Sequence, residues 1–218
     1  MLLMKNKANF ITLKNLVTMT SIRRFSVLPA LVLILTTMFS FTVKESNNSL
    51  LYRTNNLSIA VDGTSSLHDW TVKSEKGQCD MNLVMTGDKL TGITALNFSV
   101  PVETLKSGHG AMDNNTFKAL KSKNYKNITF TLTSGTVTPV DAVTYKVKAV
   151  GKLSIAGTTK ETEILGTVKY NAADQSFTLT GVKKMNMTDY NVEPPTALFG
   201  TIKTGNAISI TYNAKITK

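Results

Sequence analysis

The sequence predicts an all-β fold, an antiparallel β-barrel of about eight strands accompanied by one short α-helix. From about Leu57 to the C-terminus, short segments alternate apolar with polar residues, and turn-forming residues separate the segments. Successive side chains of a strand point to opposite faces, so this alternation gives each predicted strand one apolar and one polar face. A parallel sheet covered on both sides would instead read as continuous apolar runs.

The apolar faces can be followed along the whole region. The first carries Cys79, Met81, Leu83 and Met85, opposite Gln78, Asp80, Asn82 and Val84. The next three carry Leu96, Phe98 and Val100, then Ile128, Phe130 and Leu132, then Tyr145, Val147 and Ala149. The last carry Ile164 and Val168, then Phe177 and Leu179, then Ile208, Ile210 and Tyr212. No fixed-period repeat is visible, so we predict one domain.

Four short turn signals separate the predicted strands. They are Gly87-Asp88, Ser134-Gly135, residues 171–175 and Gly205-Asn206. Each is short enough to join neighbouring antiparallel strands. The predicted connectivity is therefore mostly up and down.

One helix-like segment, residues 113–121, interrupts the strands. Asp113 is expected to precede the helix and cap it, because a carboxylate accepts hydrogen bonds from the free backbone N–H groups of a helix start. Phe117 and Leu120 are three residues apart and form one apolar edge. We expect the helix to plug one end of the barrel or to lie on its rim.

Residues 1–43 differ in composition and predict a secretory signal peptide. Basic residues precede an apolar run over residues 25–39, and all 14 acidic residues lie at or beyond Glu45. This order is typical of a leader for export. An uncleaved membrane anchor is the alternative, although the apolar run is short for a span.

The predicted domain boundaries follow from this leader. Cleavage is expected between Ser40 and Ser46, and a translation start at Met19 would give a leader of ordinary length. Residues 44–56 are then a short N-terminal linker. Residues 57–218 form the barrel domain.

The charge of the chain argues against nucleic acid as a partner. The predicted leader holds five of the 25 basic residues, which leaves 20 basic against 14 acidic groups and a net charge of +6. The lysines are not interleaved with a series of aromatic residues of the kind that a base-stacking surface requires. Lys118, Lys121 and Lys123 cluster around the helix, either as a solvated face or as a transient contact with an anionic membrane surface or an acidic head group.

Few residues are suited to metal binding or catalysis. Cys79 is the only cysteine, and its place on an apolar face predicts a buried, unreactive thiol. His68 and His109 lack the ligand spacing typical of zinc, and a shared site in three dimensions is the alternative. The sequence has no G-x-S-x-G elbow, phosphate-binding glycine loop or H-E-x-x-H motif. We predict no metal, no cofactor, no catalytic residue and no enzymatic activity.

Five motifs in order resemble the YceI-like family and cover roughly residues 57–218. They are residues 66–72 (SLHDWTV), 98–108 (FSVPVETLKSG), 118–130 (KALKSKNYKNITF), 151–160 (GKLSIAGTTK) and 187–191 (MTDYN) with Pro194-Pro195 and Gly205. The resemblance implies a lipocalin-like barrel, exported to the bacterial periplasm or secreted, that holds an isoprenoid or another long-chain amphiphile in its lumen.

Three positions depart from the family pattern. Asn127 stands where many members have proline, and His68-Asp69-Trp70 replaces a His-Ser pair, which suggests a distinct subgroup. Residues 184–187 read Lys-Met-Asn-Met in a strand that usually bears an arginine. The resemblance therefore implies a different ligand head group, or none.

Burial of a long apolar chain would supply the affinity of such a barrel. A chain of ~15 carbons gains on the order of 10 kcal/mol on burial, before the cost of ordering it. The predicted lumen lining is Trp70, Met81, Met85, Leu96, Phe98, Phe130, Leu132, Val147 and Phe177. Trp70 either caps the mouth of the lumen or packs under the helix, and His68 is either a contact at the mouth or a hydrogen-bonded structural residue.

Two functions therefore stand at this point. The first is an exported lipid-binding protein for transport or storage. The alternative is a structural or stress protein of the cell envelope, whose barrel is filled by its own side chains and holds no ligand. The sequence leaves the oligomeric state open.

Overall fold

The computed structural model describes residues 48–218, so the predicted leader over residues 1–43 lies outside the described residues. The strands are β1 (Asn48–Ser65), β2 (Trp70–Thr86), β3 (Lys89–Pro101), β4 (Asn127–Pro139), β5 (Thr144–Ile155), β6 (Thr158–Asn171), β7 (Ser176–Asn186), β8 (Thr196–Ala197) and β9 (Ile202–Ile216). One α-helix, α1 (Gly110–Ala119), and two 3₁₀ turns, Val102–Thr104 and Met187–Tyr190, complete the described elements.

The strands form a closed antiparallel barrel. Each strand from β1 to β6 pairs with the next, β7 pairs with β9, and β9 pairs with β1. The short β8 pairs with β9 alone. This confirms the predicted eight-stranded barrel with one helix. The predicted parity, which is the alternation of inward and outward side chains along a strand, is also observed. Cys79, Met81 and Leu83 are buried while Asp80 between them is exposed.

The two ends of the barrel differ. At one end, which we call the closed end, tight turns join β2 to β3 and β6 to β7. Phe177 fills this end with its ring centroid 5.0 Å from that of Tyr52 and 4.9 Å from that of Tyr170. The helix α1 lies at the opposite end, which we call the mouth. There the strand ends enclose space instead of an aromatic cluster.

Two of the four predicted turns are confirmed and two are wrong. Gly87-Asp88 joins the paired residues Thr86 and Lys89, and the turn over residues 171–175 closes the pair Asn171 and Ser176. Ser134-Gly135 lies inside β4, and Gly205-Asn206 lies inside β9. Glycine serves a different purpose in these strands, because a Cβ at Gly135 or Gly205 would overlap a side chain of the neighbouring strand.

The barrel begins earlier than predicted, because residues 48–56 belong to β1 and are not a linker. Their pairing with β2 runs from Asn48 opposite Met85 to Thr54 opposite Cys79. The register shifts after Thr54, so the alternation of the strand is interrupted there. A strand with a bulge loses the simple period of two, and this concealed the first half of β1.

The helix also begins earlier, at Gly110, and ends at Ala119. Asp113 therefore lies within α1, and the prediction that it precedes and caps the helix is wrong. Its Oδ1 accepts hydrogen bonds from the backbone N–H and the hydroxyl of Ser107, each at 2.7 Å. These bonds hold the pKa of Asp113 below its usual value. The carboxylate thus ties the segment before the helix to the first turns of the helix.

Asp174, at the closed end, makes the stability of the barrel depend on pH. Its carboxylate accepts hydrogen bonds from Lys215 Nζ and Ser176 Oγ, both at 2.6 Å, which lower its pKa to about 2. Because the unfolded chain has a pKa of ~3.9 at this group, the stabilisation is present above that value. It disappears as the pH falls toward about 2.

We expect Asp174→Asn to lower the free energy of unfolding at neutral pH and to have little effect once the wild-type carboxylate is protonated. Urea unfolding at neutral pH, and again at a pH near the folded pKa of about 2, measures the free energy of unfolding under the two conditions. Glu75→Gln, on the exposed face of β2, is the control and should leave the free energy of unfolding unchanged at both pH values. An equal loss of stability at both pH values would contradict the expected linkage.

Candidate functional site

An inner cavity of about 110 Å³ lies within the barrel. Most of its lining residues are inward-facing side chains of β1, β2, β3 and β5, in agreement with strand parity. Four of the predicted lumen residues line this cavity, namely Met81, Leu96, Phe98 and Val147. Lys183 is the one charged residue among the lining residues. The cavity is otherwise suited to an apolar group.

Cys79 also lines the inner cavity and is 2% exposed. Burial, with a smaller contribution from the nearby Asp80 carboxylate, raises the pKa of the thiol to about 12. The thiol is therefore protonated at neutral pH. Since the thiolate is the nucleophilic form, Cys79 acts here as an apolar wall residue.

A larger cavity of about 440 Å³, the outer cavity, lies at the mouth. The β1–β2 loop, α1, β9 and the segment around β8 each contribute to its lining. Its volume lies within the range of ~300–1,000 Å³ that is usual for sites of small ligands. It also contains both histidines of the chain, His68 and His109, together with Asn115. Together with hydroxyl-bearing residues such as Ser65, Thr116 and Thr204, these side chains give a mainly apolar mouth a few polar groups.

The two cavities adjoin. Five aliphatic residues line both of them: Val61, Leu105, Ile128, Ile155 and Ile210. The boundary that the two cavities share is therefore aliphatic. An apolar chain entering at the mouth would meet apolar surface along its whole path to Met81 and Phe98.

Four predicted lining residues, Met85, Phe130, Leu132 and Phe177, line neither cavity. Phe177 is fully buried in the closed end. Phe130 is 1% exposed and stacks on Phe98 with ring centroids 5.4 Å apart. Met85 and Leu132 pack against the core. These four side chains therefore border neither cavity in this structure, because parity selects the inner face without showing how deeply the barrel is filled. Their contact with a ligand stays a prediction.

Trp70 and His68 both lie at the mouth. The Trp70 indole covers Gly63 and donates its Nε1–H to the backbone oxygen of Thr64 at 2.9 Å. The ring lines the outer cavity, across from α1. His68 is exposed, with its Nδ1 2.7 Å from the backbone oxygen of Asp69. Each residue therefore has a structural hydrogen bond and a surface toward the cavity.

The sequence predicted that the helix lies at one end of the barrel, but not which side chains of α1 and of the closing segment line the mouth. Met112 and Ala119 of α1, together with Met185 and Met187, line the outer cavity. The spacing of Met185 and Met187 could have indicated that they lie on one surface, since residues two positions apart share one face of a strand. For α1 there was no such signal, because its orientation depends on contacts with the barrel.

The barrel wall is open between β6 and β7 near the mouth. The two strands pair only from Thr167 opposite Thr180 to Asn171 opposite Ser176. Beyond this, residues 158–166 and 181–186 do not pair with each other, and we call this gap the β6–β7 seam. Two side chains bridge the seam and satisfy carbonyl groups of β6.

Lys183 Nζ donates to the backbone oxygen of Glu163 at 3.0 Å, and the Tyr212 hydroxyl donates to the backbone oxygen of Leu165. Burial raises the pKa of Tyr212 to about 12, so the hydroxyl remains a donor. Lys184, in the segment that departs from the family pattern, is exposed, and the inward lysine is its neighbour Lys183. Side chains thus replace strand pairing along this part of the cavity wall.

Gly181 makes room for the Tyr212 bridge, because an added Cβ there would overlap the Tyr212 ring. We expect Gly181→Ala to destabilise the protein by ~1–3 kcal/mol, as overpacking does. The control is Gly92→Ala on β3, where the nearest atoms are those of Val84 at 3.5 Å. Urea unfolding compares the two variants.

A double substitution tests the cause. Gly181→Ala should cost less in a Tyr212→Leu background than in the wild type, because the clashing ring has been removed. An unchanged cost would mean that the Tyr212 ring is not the reason for glycine at this position.

The described residues contain no cluster of three or more His, Cys, Asp or Glu side chains that could hold a metal ion. His68 and His109 share the outer cavity without a third such ligand in residues 48–218. Within that same part of the chain, no helix combines the length and the apolar character needed to cross a bilayer.

Comparison with known proteins agrees with this architecture. The family model of the YceI-like domain matches residues 41–216 of the chain. No curated protein matches it. BcnA of Burkholderia cenocepacia has a similar structure, with 15% identity and a TM-score of 0.58, over 74% of this chain and 96% of BcnA.

Two further solved structures are similar. A polyisoprenoid-binding domain of Saccharophagus degradans, implicated in plant cell wall breakdown, has 11% identity and a TM-score of 0.58, over 78% of this chain and 98% of that domain. A mutant YceI protein of Campylobacter jejuni has 16% identity and a TM-score of 0.51, over 66% of this chain and 83% of that protein. At these identities the likeness concerns the fold.

Proposed function

Since the chain belongs to the family of YceI-like domains, we propose that it is an exported lipid-binding protein. Its ligand is an isoprenoid or another long-chain amphiphile, and its role is transport or storage. The observation that carries the proposal is the pair of adjoining apolar cavities, which lead from the mouth at α1 into the lumen.

The chemistry of the two cavities favours an amphiphile. The inner cavity offers aliphatic and aromatic walls to a chain, while His68, His109 and Asn115 offer polar contacts at the mouth. A chain that fills both spaces gains ~0.8 kcal/mol for each buried methylene group. The polar end of the ligand then remains near water. No step of this function requires a nucleophile, a metal or a cofactor.

Export and membrane contact belong to the same proposal. The predicted leader would take the protein to the periplasm or beyond the cell. Lys118, Lys121 and Lys123 are exposed beside the mouth, where they would attract an anionic membrane surface. Both features would bring the mouth close to the source of long-chain lipids.

The alternative function, a structural protein of the cell envelope without a ligand, has one observation in its favour. The rings of Phe177, Tyr52 and Tyr170 fill the closed end of the barrel, and the buried ring of Phe130 takes up further space inside it. The inner cavity of about 110 Å³ is small beside a long lipid. A barrel that stays closed would hold no ligand.

Native mass spectrometry of the full protein purified from its own host distinguishes the two functions. We expect a stoichiometric adduct, identified after denaturation as a long-chain lipid. Protein recovered without ligand, which then takes up neither an added isoprenoid alcohol nor a long-chain fatty acid, would overturn the proposal and favour the filled barrel.

A further inference from the structure

In the part of the chain that the structure describes, the three most exposed large apolar side chains lie in two loops at the mouth. Phe199 is 111% exposed relative to its reference, Leu198 is 68% exposed and Leu67 is 66% exposed. Leu198 and Phe199 lie in the turn between β8 and β9, and Leu67 lies in the loop between β1 and β2. We call these three side chains the mouth edge.

Hydrogen bonds hold the two loops of the mouth edge side by side. The backbone N–H of Ser66 donates to the backbone oxygen of Lys203 at 2.9 Å. The backbone N–H of Lys203 donates to Ser66 Oγ at 3.0 Å. Leu67 of the mouth edge lines the outer cavity, and so does Ala197, the residue that precedes Leu198.

The backbone of the β8–β9 turn holds its large side chains outward. Leu198 has φ +48° and Phe199 has φ +56°, both in the left-handed region that bulky residues rarely adopt. Hydrogen bonds from Gly200 N–H to the Ala197 oxygen and from Thr201 N–H to the Leu198 oxygen close the turn. A strained turn that presents a leucine and a phenylalanine to solvent favours a role for these side chains outside the barrel.

Positive charge accompanies the mouth edge. Five exposed lysines lie at this end: Lys118, Lys121, Lys123, Lys126 and Lys203. None of them forms an ion pair within residues 48–218, where the four salt bridges involve other residues. Exposed carboxylates also lie at this end, among them Asp69, Asp189, Glu193 and Glu103. The Glu103 carboxylate accepts a hydrogen bond from Ser122, between Lys121 and Lys123.

We propose that the mouth edge inserts into the interfacial region of an anionic lipid bilayer, with the lysines at the head groups. Apolar side chains at a turn, flanked by lysines, have the composition of an interfacial anchor. Three side chains offer too little area for a stable protein interface. Insertion would open the outer cavity directly to lipid, so that an amphiphile moves between bilayer and barrel without crossing water. The inference rests on the proposed function.

Vesicle flotation with the full protein tests the insertion. The variant Leu198→Ser/Phe199→Ser removes most of the mouth edge, and Val140→Ser at the closed end is the control, since Val140 is 55% exposed. With vesicles of phosphatidylcholine and phosphatidylglycerol, we expect the double variant to bind about tenfold more weakly and the control to bind as the wild type does. Vesicles of phosphatidylcholine alone should bind all three proteins weakly.

Equal vesicle binding by the double variant and the wild type would overturn the inference, as would a wild type that binds neither vesicle. So would a self-associating wild type whose association the double variant abolishes, because the edge would then join copies of the chain. Native mass spectrometry after supply of an isoprenoid alcohol in detergent keeps the two proposals apart. Ligand uptake without vesicle binding would leave the proposed lipid binding standing and contradict the membrane contact. Vesicle binding without ligand uptake would contradict the proposed lipid binding alone.

Discussion

Replacement of Ala119 with tryptophan should abolish lipid uptake while the barrel remains folded. Ala119 ends α1 and faces the outer cavity of about 440 Å³. An indole at this position would occupy the space between α1 and the aliphatic wall that leads to the inner cavity. Because the side chain grows into a cavity and not into packed core, the cost to stability should be at the low end of the ~1–3 kcal/mol of overpacking.

The fraction of protein that carries a lipid adduct in native mass spectrometry measures this effect. We expect it to fall by about tenfold or more, which corresponds to a loss of ~1.4 kcal/mol or more in binding. Ala173→Trp, in the exposed turn at the closed end, is the matched control. Circular dichroism shows that both variants are folded. If Ala119→Trp retains its lipid, the ligand does not enter through the outer cavity.

The second large effect is expected at the closed end, where Phe177→Ala should destabilise the protein by ~3–5 kcal/mol. Phe177 is fully buried, and its ring lies about 5 Å from those of Tyr52 and Tyr170. Truncation leaves a cavity that the paired strands β6, β7 and β9 cannot collapse. Chemical denaturation followed by circular dichroism measures the change.

Two controls test whether the loss of stability is specific to the filled end of the barrel. Thr178→Ala, the exposed neighbour on β7, should change the free energy of unfolding by less than ~0.5 kcal/mol. Met112→Ala, at the open mouth, should cost much less than Phe177→Ala, because Met112 borders an existing cavity. Comparable losses for Met112→Ala and Phe177→Ala would contradict the division into a filled end and an open end.

Together these predictions assign different tasks to the two ends of one barrel. The aromatic cluster around Phe177 supplies stability where no ligand has to enter. The mouth has no such aromatic cluster in the described part of the chain. The outer cavity, the polar groups that line it and the mouth edge all lie at this end. The proposed function requires this asymmetry, since a barrel that is filled at both ends cannot hold a lipid.

The local pattern of residues predicted the fold well, because strand parity is a local property. The predicted apolar faces are buried, as that of Cys79, Met81 and Leu83 is, or partly buried, as that of Ile208, Ile210 and Tyr212 is. The errors arose where a strand departs from its simple period, as at the shift in β1 after Thr54 and at Gly205 within β9. A glycine that allows close approach of two strands has the same appearance in a sequence as a glycine in a turn.

The sequence by itself determined the closed antiparallel barrel, the helix at its end and the inward face of each strand. Only the tertiary structure decided which inward residues meet open space. Met81 and Val147 line a cavity whereas Phe130 and Phe177 fill the barrel, although all four have the predicted parity. Depth along the barrel depends on the register between strands and on which large rings meet across the interior, and these are contacts between residues distant in sequence.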